Sequence, residues 1–296
     1  MTKIAIILNG RSMEAKVFSA ELAEFLSARS AEVYHPEQKW GFELDDLSGT
    51  NFTGIDAAVV LGGDGSMLAS GRNLAKFGVP LLGVNMGRMG FLSETEKAGA
   101  YAACERLLTG DYQIEERMLL QSSLYRDGTW LASCNAFNDF VVNNSTYIRS
   151  VMLDLLIDGQ LINSYQGDGI IVSSPTGSTG YSFSAGGPIV ASQMDLLLIT
   201  PVCPHSFFSR PIVVSPHNTV SIICRSDSMR VSLTADGQHR FTLHKNDMIS
   251  IAAAEYKAKM ICLGKINFFD RIKHKLYYDF TLEQAVDSHN QNKTAD

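Results

Sequence analysis

The stretch that most limits the fold is a nearly continuous apolar run, Ile55–Leu61, which leads into the sequence GGDG at residues 62–65 and then into helical spacing over Ser66–Phe77. A strand without polar alternation indicates a sheet that is buried on both faces, as parallel sheets covered by helices are. The same order of strand and helix recurs before and after this stretch. We therefore predict that the chain begins with an α/β unit built on a parallel sheet.

The remaining elements of this unit follow from the same periodicities. They are the strands Ile4–Leu8 and Val79–Val84 and the helices Ser19–Arg29 and Ala98–Leu108, with Gly78 and Gly110 just past the ends of the last two helices of the unit. From Met118 onward the chain changes to short apolar or alternating runs. Asp-Gly pairs at 127–128, 158–159 and 236–237 separate these runs at hairpin-like intervals. The second half is therefore predicted to be rich in β-structure.

These patterns divide the chain into two predicted domains. Residues 1–115 are predicted to form an α/β domain and residues 116–266 a β-rich domain. The last segment, 267–296, is predicted to return to the first domain, and its basic stretch Arg271–Lys275 is interpreted as a solvated helix face.

Composition excludes several classes of partner. The net charge is -6, hydrophobic residues make up 45% and charged residues 19%, which is typical of a globular protein without affinity for nucleic acid or anionic membranes. No apolar run reaches the length of a membrane span, and the first ten residues are better explained as a buried strand than as a signal segment. Five dispersed cysteines, predicted to be reduced core residues, favour the cytoplasm; they are Cys104, Cys134, Cys203, Cys224 and Cys262.

The glycine-rich turn lies where the strand ends and the helix begins, the edge at which open α/β sheets bind ligands. Backbone N–H groups there and the positive end of the helix dipole favour an anion, most simply a phosphate, and the predicted cradle is Gly62, Gly63, Gly65 and Ser66. Phosphate repels a carboxylate, so Asp64 is predicted either to hold a metal ion or to accept a proton from an attacking hydroxyl. The alternative is that Asp64 only caps the helix.

Two further clusters carry polar groups suited to a nucleotide. Residues 167–190 are rich in glycine, serine and threonine and have almost no charge, which favours a loop that binds phosphate or ribose. The pair Asn138-Asp139 precedes a predicted strand. Its side chains are able to bridge a ribose diol or to read the edge of adenine, although the same residue types are common in turns.

Taken together, these segments resemble the NAD kinase family. The matching segments, in the family's order and spacing, are GGDGS at 62–66, NMGRMGFL at 85–92, FNDF at 137–140 and DGIIVSSPTGSTGYSFSAGGP at 168–188, with PHSFFSRPIVVS at 204–215 and Asp236-Gly237-Gln238 in addition. The resemblance covers about residues 4–280. GGDG alone is shared with phosphofructokinases and diacylglycerol-type lipid kinases, whereas the long hydroxyl-rich segment together with the Asn-Asp pair is specific to NAD kinases.

The resemblance implies a phosphoryl transfer from ATP, or from polyphosphate, to NAD, with a divalent metal ion, Mg²⁺, as cofactor and a homodimer or homotetramer as the assembly. It implies that the site lies between the two domains and that Asp64 is the catalytic base acting on the 2′-hydroxyl of the adenosine ribose. The positions that match NAD-binding residues of the family are Asp64, Gly65, Phe91, Asn138, Asp139, Arg149, Gln166, Asp168, Thr179, Gly180, Tyr181, Ser182, Phe183, Ser184 and Gln238.

Some of these assignments have alternatives. For Phe91 the alternative is core packing, and for Arg149, where ligand contact is favoured, the alternative is a surface ion pair. Ser66 stands where the family usually has threonine and keeps the hydroxyl, while Gln166 is neither the basic residue nor the glycine found in other members, so the choice between NAD and NADH stays open. The alternative functions are a GGDG-motif lipid or sugar kinase and a nucleotide-sensing module without catalysis; the metal ligands are not predicted.

Overall fold

The protein is described by a computed structural model that covers residues 1–8, 12–36, 47, 49–87, 90–144, 150–206, 209–226, 231–264 and 268–273. Its helices are α1 (Met13–Ser27), α2 (Asp64–Leu74), α3 (Ala100–Thr109), α4 (Tyr181–Ser184) and α5 (Phe268–Lys273). Single 3-10 turns cover Ala75–Phe77, Lys97–Gly99 and Thr176–Thr179. The strands are β1 (Lys3–Leu8), β2 (Glu32–Tyr34), β3 (Ala57–Gly62), β4 (Leu81–Asn85), β5 (Thr95–Glu96), β6 (Gln113–Arg126), β7 (Thr129–Ala136), β8 (Asp139–Asn144), β9 (Val151–Ile157), β10 (Gln160–Gly167), β11 (Gly169–Ser173), β12 (Leu197–Val202), β13 (Ile212–Val214), β14 (Val220–Cys224), β15 (Val231–Ala235), β16 (His239–Leu243) and β17 (Met248–Cys262).

The N-terminal part is a parallel sheet between two layers of helix. Its strands lie in the order β4-β3-β1-β2, all parallel, and every residue of β3 is buried. Phe18 and Leu22 of α1 and Leu107 of α3 pack on one face of this sheet. Met67 and Leu74 of α2 pack on the other face. The uninterrupted apolar character of β3 follows from this burial on both sides.

The C-terminal part consists of two antiparallel sheets that pack face to face. One has the strand order β13-β12-β11-β8-β15-β16, and the other contains β10-β9-β14-β17 with β6 and β7 alongside β17. Side chains from both sheets share one core, among them Phe140 and Leu233 from the first and Leu153 and Ile222 from the second. This is the arrangement expected of alternating strands whose inner faces are apolar.

Strand β17 joins the two parts. It pairs antiparallel with β14 and β6 along most of its length, and near its end Met260 lies opposite Leu81 of β4 in parallel pairing. The hydrogen-bonded sheet therefore continues across the predicted boundary at residues 115 and 116. The boundary itself stays a prediction, since a continuous sheet does not mark where one domain ends.

The predicted fold class, an α/β part with a parallel sheet followed by a β-rich part, is confirmed. The three Asp-Gly pairs each form the turn of a hairpin, with positive φ at both residues: 49° and 77° at 127–128, 50° and 79° at 158–159, and 49° and 66° at 236–237. Such a pair of positive φ angles is what a two-residue hairpin turn requires.

Several element boundaries differ from the prediction. Helix α1 begins at Met13 rather than Ser19, because the Ser12 hydroxyl accepts a hydrogen bond from the Ala15 N–H at 3.1 Å and caps the helix earlier. Strand β4 begins at Leu81 rather than at Val79, because Pro80 has no N–H that could donate a hydrogen bond to a neighbouring strand. The short strand β2 was not predicted, since three residues carry too little periodicity to detect.

The expectation that all cysteines are core residues is wrong for Cys203, which is exposed in a turn with φ of 44°. The predicted returning segment 267–296 is described only at 268–273, and the rest of it lies outside the described residues. In the part of the chain that the structure describes, no helix is both long enough and apolar enough to cross a membrane.

Candidate active site

The GGDG turn lies at the carboxyl end of β3, as predicted. Gly62 is the last residue of the strand and is buried, Gly63 precedes the helix, and Asp64 is the first residue of α2. Gly63 and Gly65 are partly exposed, whereas Ser66 is buried. Of the predicted phosphate cradle, Gly63 and Gly65 therefore present backbone at the start of the helix, where the dipole favours an anion.

The carboxylate of Asp64 contacts a second loop rather than capping its own helix. Its Oδ2 accepts the N–H of Phe91 at 2.9 Å and its Oδ1 accepts the N–H of Leu92 at 3.1 Å. A Cβ atom on Gly90 would lie 1.9 Å from Oδ1, so only glycine allows this approach. The loop at 90–92 thus fixes the direction of the carboxylate, and lone pairs on both oxygens remain for another donor.

The C-terminal helix supports this loop. Arg271 of α5 donates from Nη1 to the carbonyl oxygens of Phe91, at 3.2 Å, and Ser93, and from Nη2 to Glu94. The interpretation of the basic stretch as a solvated helix face is wrong for Arg271, whose side chain is 14% exposed. Local charge density cannot reveal such a contact, because the partners lie far away in the sequence.

The pair Asn138-Asp139 lies where β7 turns into β8. Asp139 is 5% exposed, and burial together with the negative charge of Asp236 raises the pKa of its carboxyl to about 7. The side-chain oxygen of Asn138 is buried and has no hydrogen-bond partner among the described residues. A cavity of about 340 Å³ opens here, lined by Asn138, Asp139, Val141, Asn143, Tyr181, Thr234, Asp236 and Gly237.

The hydroxyl-rich segment packs against this pair. A Cβ atom on Gly180 would lie 3.4 Å from Nδ2 of Asn138 and 3.7 Å from Oδ2 of Asp139. Tyr181 and Phe183 of α4 are 44% and 40% exposed, an unusual exposure for two aromatic rings on one short helix. The structure therefore brings the Asn-Asp pair and the 176–184 turn to one place, as the sequence predicts.

Within this turn the hydroxyl groups differ in accessibility. Ser182 is fully buried, and its Oγ lies 2.9 Å from Oγ1 of Thr200. Ser184 is exposed, and Thr179 is partly exposed with its hydroxyl donating to the Thr176 carbonyl at 3.2 Å. Ser182 thus holds α4 onto β12, and its predicted contact with NAD stays a prediction.

A second cavity, of about 210 Å³, lies between the Asp64-binding loop and the hydroxyl-rich turn. Its walls include Phe91, Leu92, Arg117, Thr176 and Thr179. Phe91 is therefore adjacent to the predicted nucleotide-binding turn. Of the predicted site residues, Phe91 and Thr179 therefore border this cavity, and Asn138, Asp139 and Tyr181 border the first.

Gln166 and Asp168 are among the predicted site residues that line neither cavity, and both contact other parts of the surface. Gln166 is exposed and donates from Nε2 to the Ser150 hydroxyl at 3.2 Å. Asp168 is exposed and hydrogen-bonds the Cys203 thiol, which raises the pKa of that thiol. Neither lines the cavities at Asn138 or at Phe91. Arg149 lies outside the described residues.

Gln238 connects the two parts of the chain instead of pointing into solvent. Its Nε2 donates to the carbonyl oxygen of Gly65 at 3.0 Å, and its Oε1 accepts from Arg72. Arg72 and Asp236 were missed as site residues by sequence reasoning. Asp236 stands in the segment Asp236-Gly237-Gln238 that resembles the family, but it was itself predicted only to form a hairpin turn, and no pattern pointed to Arg72.

In the described part of the chain, no group of three or more His, Cys, Asp or Glu side chains is placed to hold a metal ion. Mg²⁺ is often held by one or two carboxylates together with substrate phosphates and water. The donor set near Asp64, one carboxylate beside an anion-favouring helix start, fits a metal that is bound largely by phosphate.

Family models match both parts of the chain. Residues 36–112 match the ATP-NAD kinase N-terminal domain and residues 138–263 match the ATP-NAD kinase C-terminal domain. The NAD kinase of Natranaerobius thermophilus is 36% identical over 285 residues, covering 93% of this chain and 98% of that protein. The NAD kinase of Geotalea daltonii is 38% identical over 283 residues, with coverage of 93% and 98%.

Solved structures share the fold. A yeast NADH kinase complexed with NADH superposes with a TM-score of 0.82 at 21% identity, covering 93% of this chain and 87% of that one. An NAD kinase from Archaeoglobus fulgidus in complex with ATP gives a TM-score of 0.72 at 23% identity, with coverage of 93% and 97%. With both family models and these full-length relatives matched, the chain belongs to the NAD kinase family.

Proposed function

We propose that this protein is an ATP-dependent NAD kinase, which transfers the terminal phosphoryl group of ATP to the 2′-hydroxyl of the adenosine ribose of NAD. The observation that carries this is the partly buried carboxylate of Asp64, fixed by two backbone N–H groups at the start of a helix that favours phosphate. The polar cavity at Asn138 and Asp139 supplies the nearby surface for a nucleoside.

Asp64 acts as the general base. The 2′ oxygen forms a bond to the γ-phosphorus, the bond from that phosphorus to the bridging oxygen breaks, and ADP leaves. The hydroxyl proton passes to Asp64 and from there to solvent. Because Phe91 and Leu92 hold both carboxylate oxygens in one direction, the base needs no reorientation before it accepts the proton.

Asn138 and Asp139 bind the adenosine part of NAD. The unpartnered oxygen of Asn138 is an acceptor that the amino group of adenine would satisfy, and a buried acceptor left without a donor costs free energy. The carboxylate of Asp139 accepts hydrogen bonds from ribose hydroxyls. Tyr181 and Phe183 offer exposed rings to the same ligand, and Gly180, Thr179 and Ser184 complete the turn around it.

The donor phosphates lie at Gly63 and Gly65, and Mg²⁺ comes to the site on the ATP. Bound together with those phosphates near Asp64, the ion would neutralise part of their charge. Removal of divalent metal with a chelator is therefore expected to abolish turnover, and added Mg²⁺ to restore it. Polyphosphate is the alternative donor, since its terminal phosphates offer the same chemistry.

We also propose that the protein works as a homodimer or homotetramer in the cytoplasm, without nucleic-acid or membrane partners. Support comes from the family resemblance, from the dispersed free cysteines and from the net charge of -6. Light scattering of the purified chain measures the assembly. A monomer at micromolar concentration would contradict the proposed homo-oligomer.

The deciding experiment is a turnover assay of the purified full chain with Mg²⁺ and either ATP or polyphosphate. NAD, NADH, a diacylglycerol vesicle and a hexose phosphate are offered as acceptors; NADP and NADPH are detected with an NADP-specific dehydrogenase, and phosphorylated lipid or sugar by mass spectrometry. We expect NADP to form with ATP. Turnover of the lipid or the sugar in its place would support a different GGDG-motif kinase, and NAD binding without any turnover would support a sensing module.

A further inference from the structure

A buried ionic cluster lies at the joint between α2 and the β-rich part. Arg72 of α2 forms an ion pair with Asp236, and their side chains are 5% and 0% exposed. The same guanidinium donates to Gln238, which in turn donates to the carbonyl of Gly65 at 3.0 Å. We call Arg72, Asp236 and Gln238 the joint cluster. It reaches the residue that directly follows the proposed base, Asp64.

On its other side the cluster holds the Asn-Asp pair. Oδ2 of Asp236 accepts the N–H of Phe137 at 2.8 Å, and Oδ1 accepts those of Asn138 at 2.7 Å and Asp139 at 3.1 Å. The N–H of Asp236 donates back to the carbonyl of Asp139 at 3.0 Å. One carboxylate therefore fixes three consecutive backbone positions of the proposed adenosine-binding turn.

Packing adds a second contact between the same two segments. A Cβ atom on Gly71, next to Arg72 in α2, would lie 2.2 Å from the ring of Phe137. Phe137 is fully buried and belongs to the core that covers α2, although it precedes β8 of the β-rich part. Helix α2 therefore has no side chain at Gly71, the point where Phe137 packs against it.

We propose that the joint cluster is a positioning device, which sets the distance and direction of Asp64 relative to the adenosine-binding turn. This rests on the proposed function, since it assigns Asp64 to proton transfer and Asn138-Asp139 to the acceptor. A buried ion pair contributes little net stability compared with apolar side chains, but its directional bonds define geometry. A misplacement of about 1 Å in such a site costs roughly a hundredfold in rate.

The chain contains a matched control for this cluster. Arg126 donates from Nε and Nη2 to the two oxygens of Asp247, both at 2.8 Å, and the Asp247 side chain is fully buried. This pair joins β6 to the turn before β17 and lies wholly within the β-rich part. It has the same chemistry as the pair of Arg72 and Asp236 but no link to Asp64.

The test compares Arg72→Met with Arg126→Met in the full chain, by kcat, KM for NAD and the unfolding temperature. For Arg72→Met we expect kcat to fall about 100-fold with KM for NAD within about threefold, because Asp236 still holds the acceptor turn. For Arg126→Met we expect a lower unfolding temperature and kcat within about threefold. An Arg72→Met kcat no lower than that of Arg126→Met would overturn the proposal.

Gln238→Met keeps the buried ion pair and tests the link to Gly65 if Arg72→Met does not fold. We expect its kcat to fall about tenfold at an unchanged unfolding temperature, and unchanged kcat would overturn the proposal. Failure of the proposed function itself would be recognised separately, because the wild-type protein would then make no NADP.

A readout that does not depend on activity is hydrogen exchange of the backbone amides at residues 137–139. We expect this exchange to be at least about tenfold faster in Asp236→Asn than in wild type, and equal exchange rates would overturn the proposed role of the cluster.

Discussion

Asp64 and Asp139 are two carboxylates of one site in opposite environments. Asp64 is partly exposed, begins a helix and accepts hydrogen bonds from the N–H groups of Phe91 and Leu92. Asp139 is buried beside the charge of Asp236, and its pKa is raised to about 7. Carboxylates in different surroundings are suited to different tasks. The carboxylate of Asp64 is placed to exchange a proton with a substrate. The buried carboxylate of Asp139 is placed to form hydrogen bonds with a ligand that takes the place of water.

The two regions are also built differently. The environment of Asp64 comes from a local strand-turn-helix segment and one loop, whereas that of Asp139 requires a hairpin turn from about a hundred residues later. Substitutions at Asp64 should therefore affect turnover with little change in folding. Substitutions around Asp139 should affect NAD binding and stability together.

The largest expected effect is that of Asp64→Asn. The amide keeps the size and one acceptor oxygen but cannot take the proton, so kcat should fall by about 10² to 10⁴, the range for a positioned base. The measurement is steady-state NADP formation at saturating ATP and NAD. Turnover within a few-fold of wild type would show that Asp64 is not the base.

Gly90→Ala tests whether the loop at 90–92 fixes the carboxylate of Asp64. The added methyl would lie 1.9 Å from Oδ1 of Asp64, so either the loop or the carboxylate must move. We expect kcat to fall about 100-fold, as for a displaced catalytic group. Gly87→Ala is the control, since its Cβ would meet no heavy atom of the described residues within 4 Å. Equal activity of the two variants would contradict this fixing of Asp64.

Asp139→Ala probes the buried side. Loss of charge-assisted hydrogen bonds, worth about 1.5–3 kcal/mol, should raise KM for NAD roughly 10- to 100-fold while the protein remains folded. The check is a titration of NAD with circular dichroism on the same samples. If KM for NAD stays at the wild-type value, Asp139 does not bind the ligand.

Stability should depend on pH through Asp139. The pKa of Asp139 is raised in the folded protein. Between about pH 4 and pH 7 the folded protein therefore keeps a proton that the unfolded chain has released, and the free energy of unfolding falls as the pH rises through this range. The difference between 3.8 and about 7 corresponds to on the order of 4 kcal/mol. Thermal unfolding at several pH values should show this decline in wild type and a flatter profile in Asp139→Asn. Parallel profiles would refute the raised pKa.

The smallest effect concerns the nicotinamide end. Gln166 is neutral and exposed, so it should discriminate weakly between the positively charged ring of NAD and the neutral ring of NADH. An exposed charge at contact distance is worth about 1 kcal/mol in water, so its absence leaves differences of a few-fold. We expect NADH to be phosphorylated measurably by wild type. Brisk turnover of NAD with none of NADH would contradict this.

Local patterns were enough to predict the strand-turn-helix around Asp64, and they also predicted the three Asp-Gly hairpins. Both depend on neighbours in sequence, namely apolar periodicity and the positive φ that a two-residue turn requires. The early start of α1 was missed because Ser12 was not recognised as its cap.

Contacts between distant segments were not predictable in this way. Periodicity does not say that β17 pairs with β4, that Arg271 reaches the loop at Phe91, or that Asp236 collects three N–H groups. Each of these depends on which strands become neighbours in the folded sheets. The residues that set the surroundings of Asp139 were therefore found only in the structure.

The most direct test of the division between the two carboxylates is a paired measurement on Asp64→Asn and Asp139→Ala. For each, the dissociation constant for NAD is measured by calorimetry, and the single-turnover rate is measured at saturating NAD and ATP. We expect Asp64→Asn to bind NAD within a few-fold of wild type and to lose about 10² to 10⁴ in rate. We expect Asp139→Ala to bind weakly and to keep most of its rate once saturated. The reverse pattern, or equal losses of both quantities in both variants, would contradict the separation of proton transfer from binding.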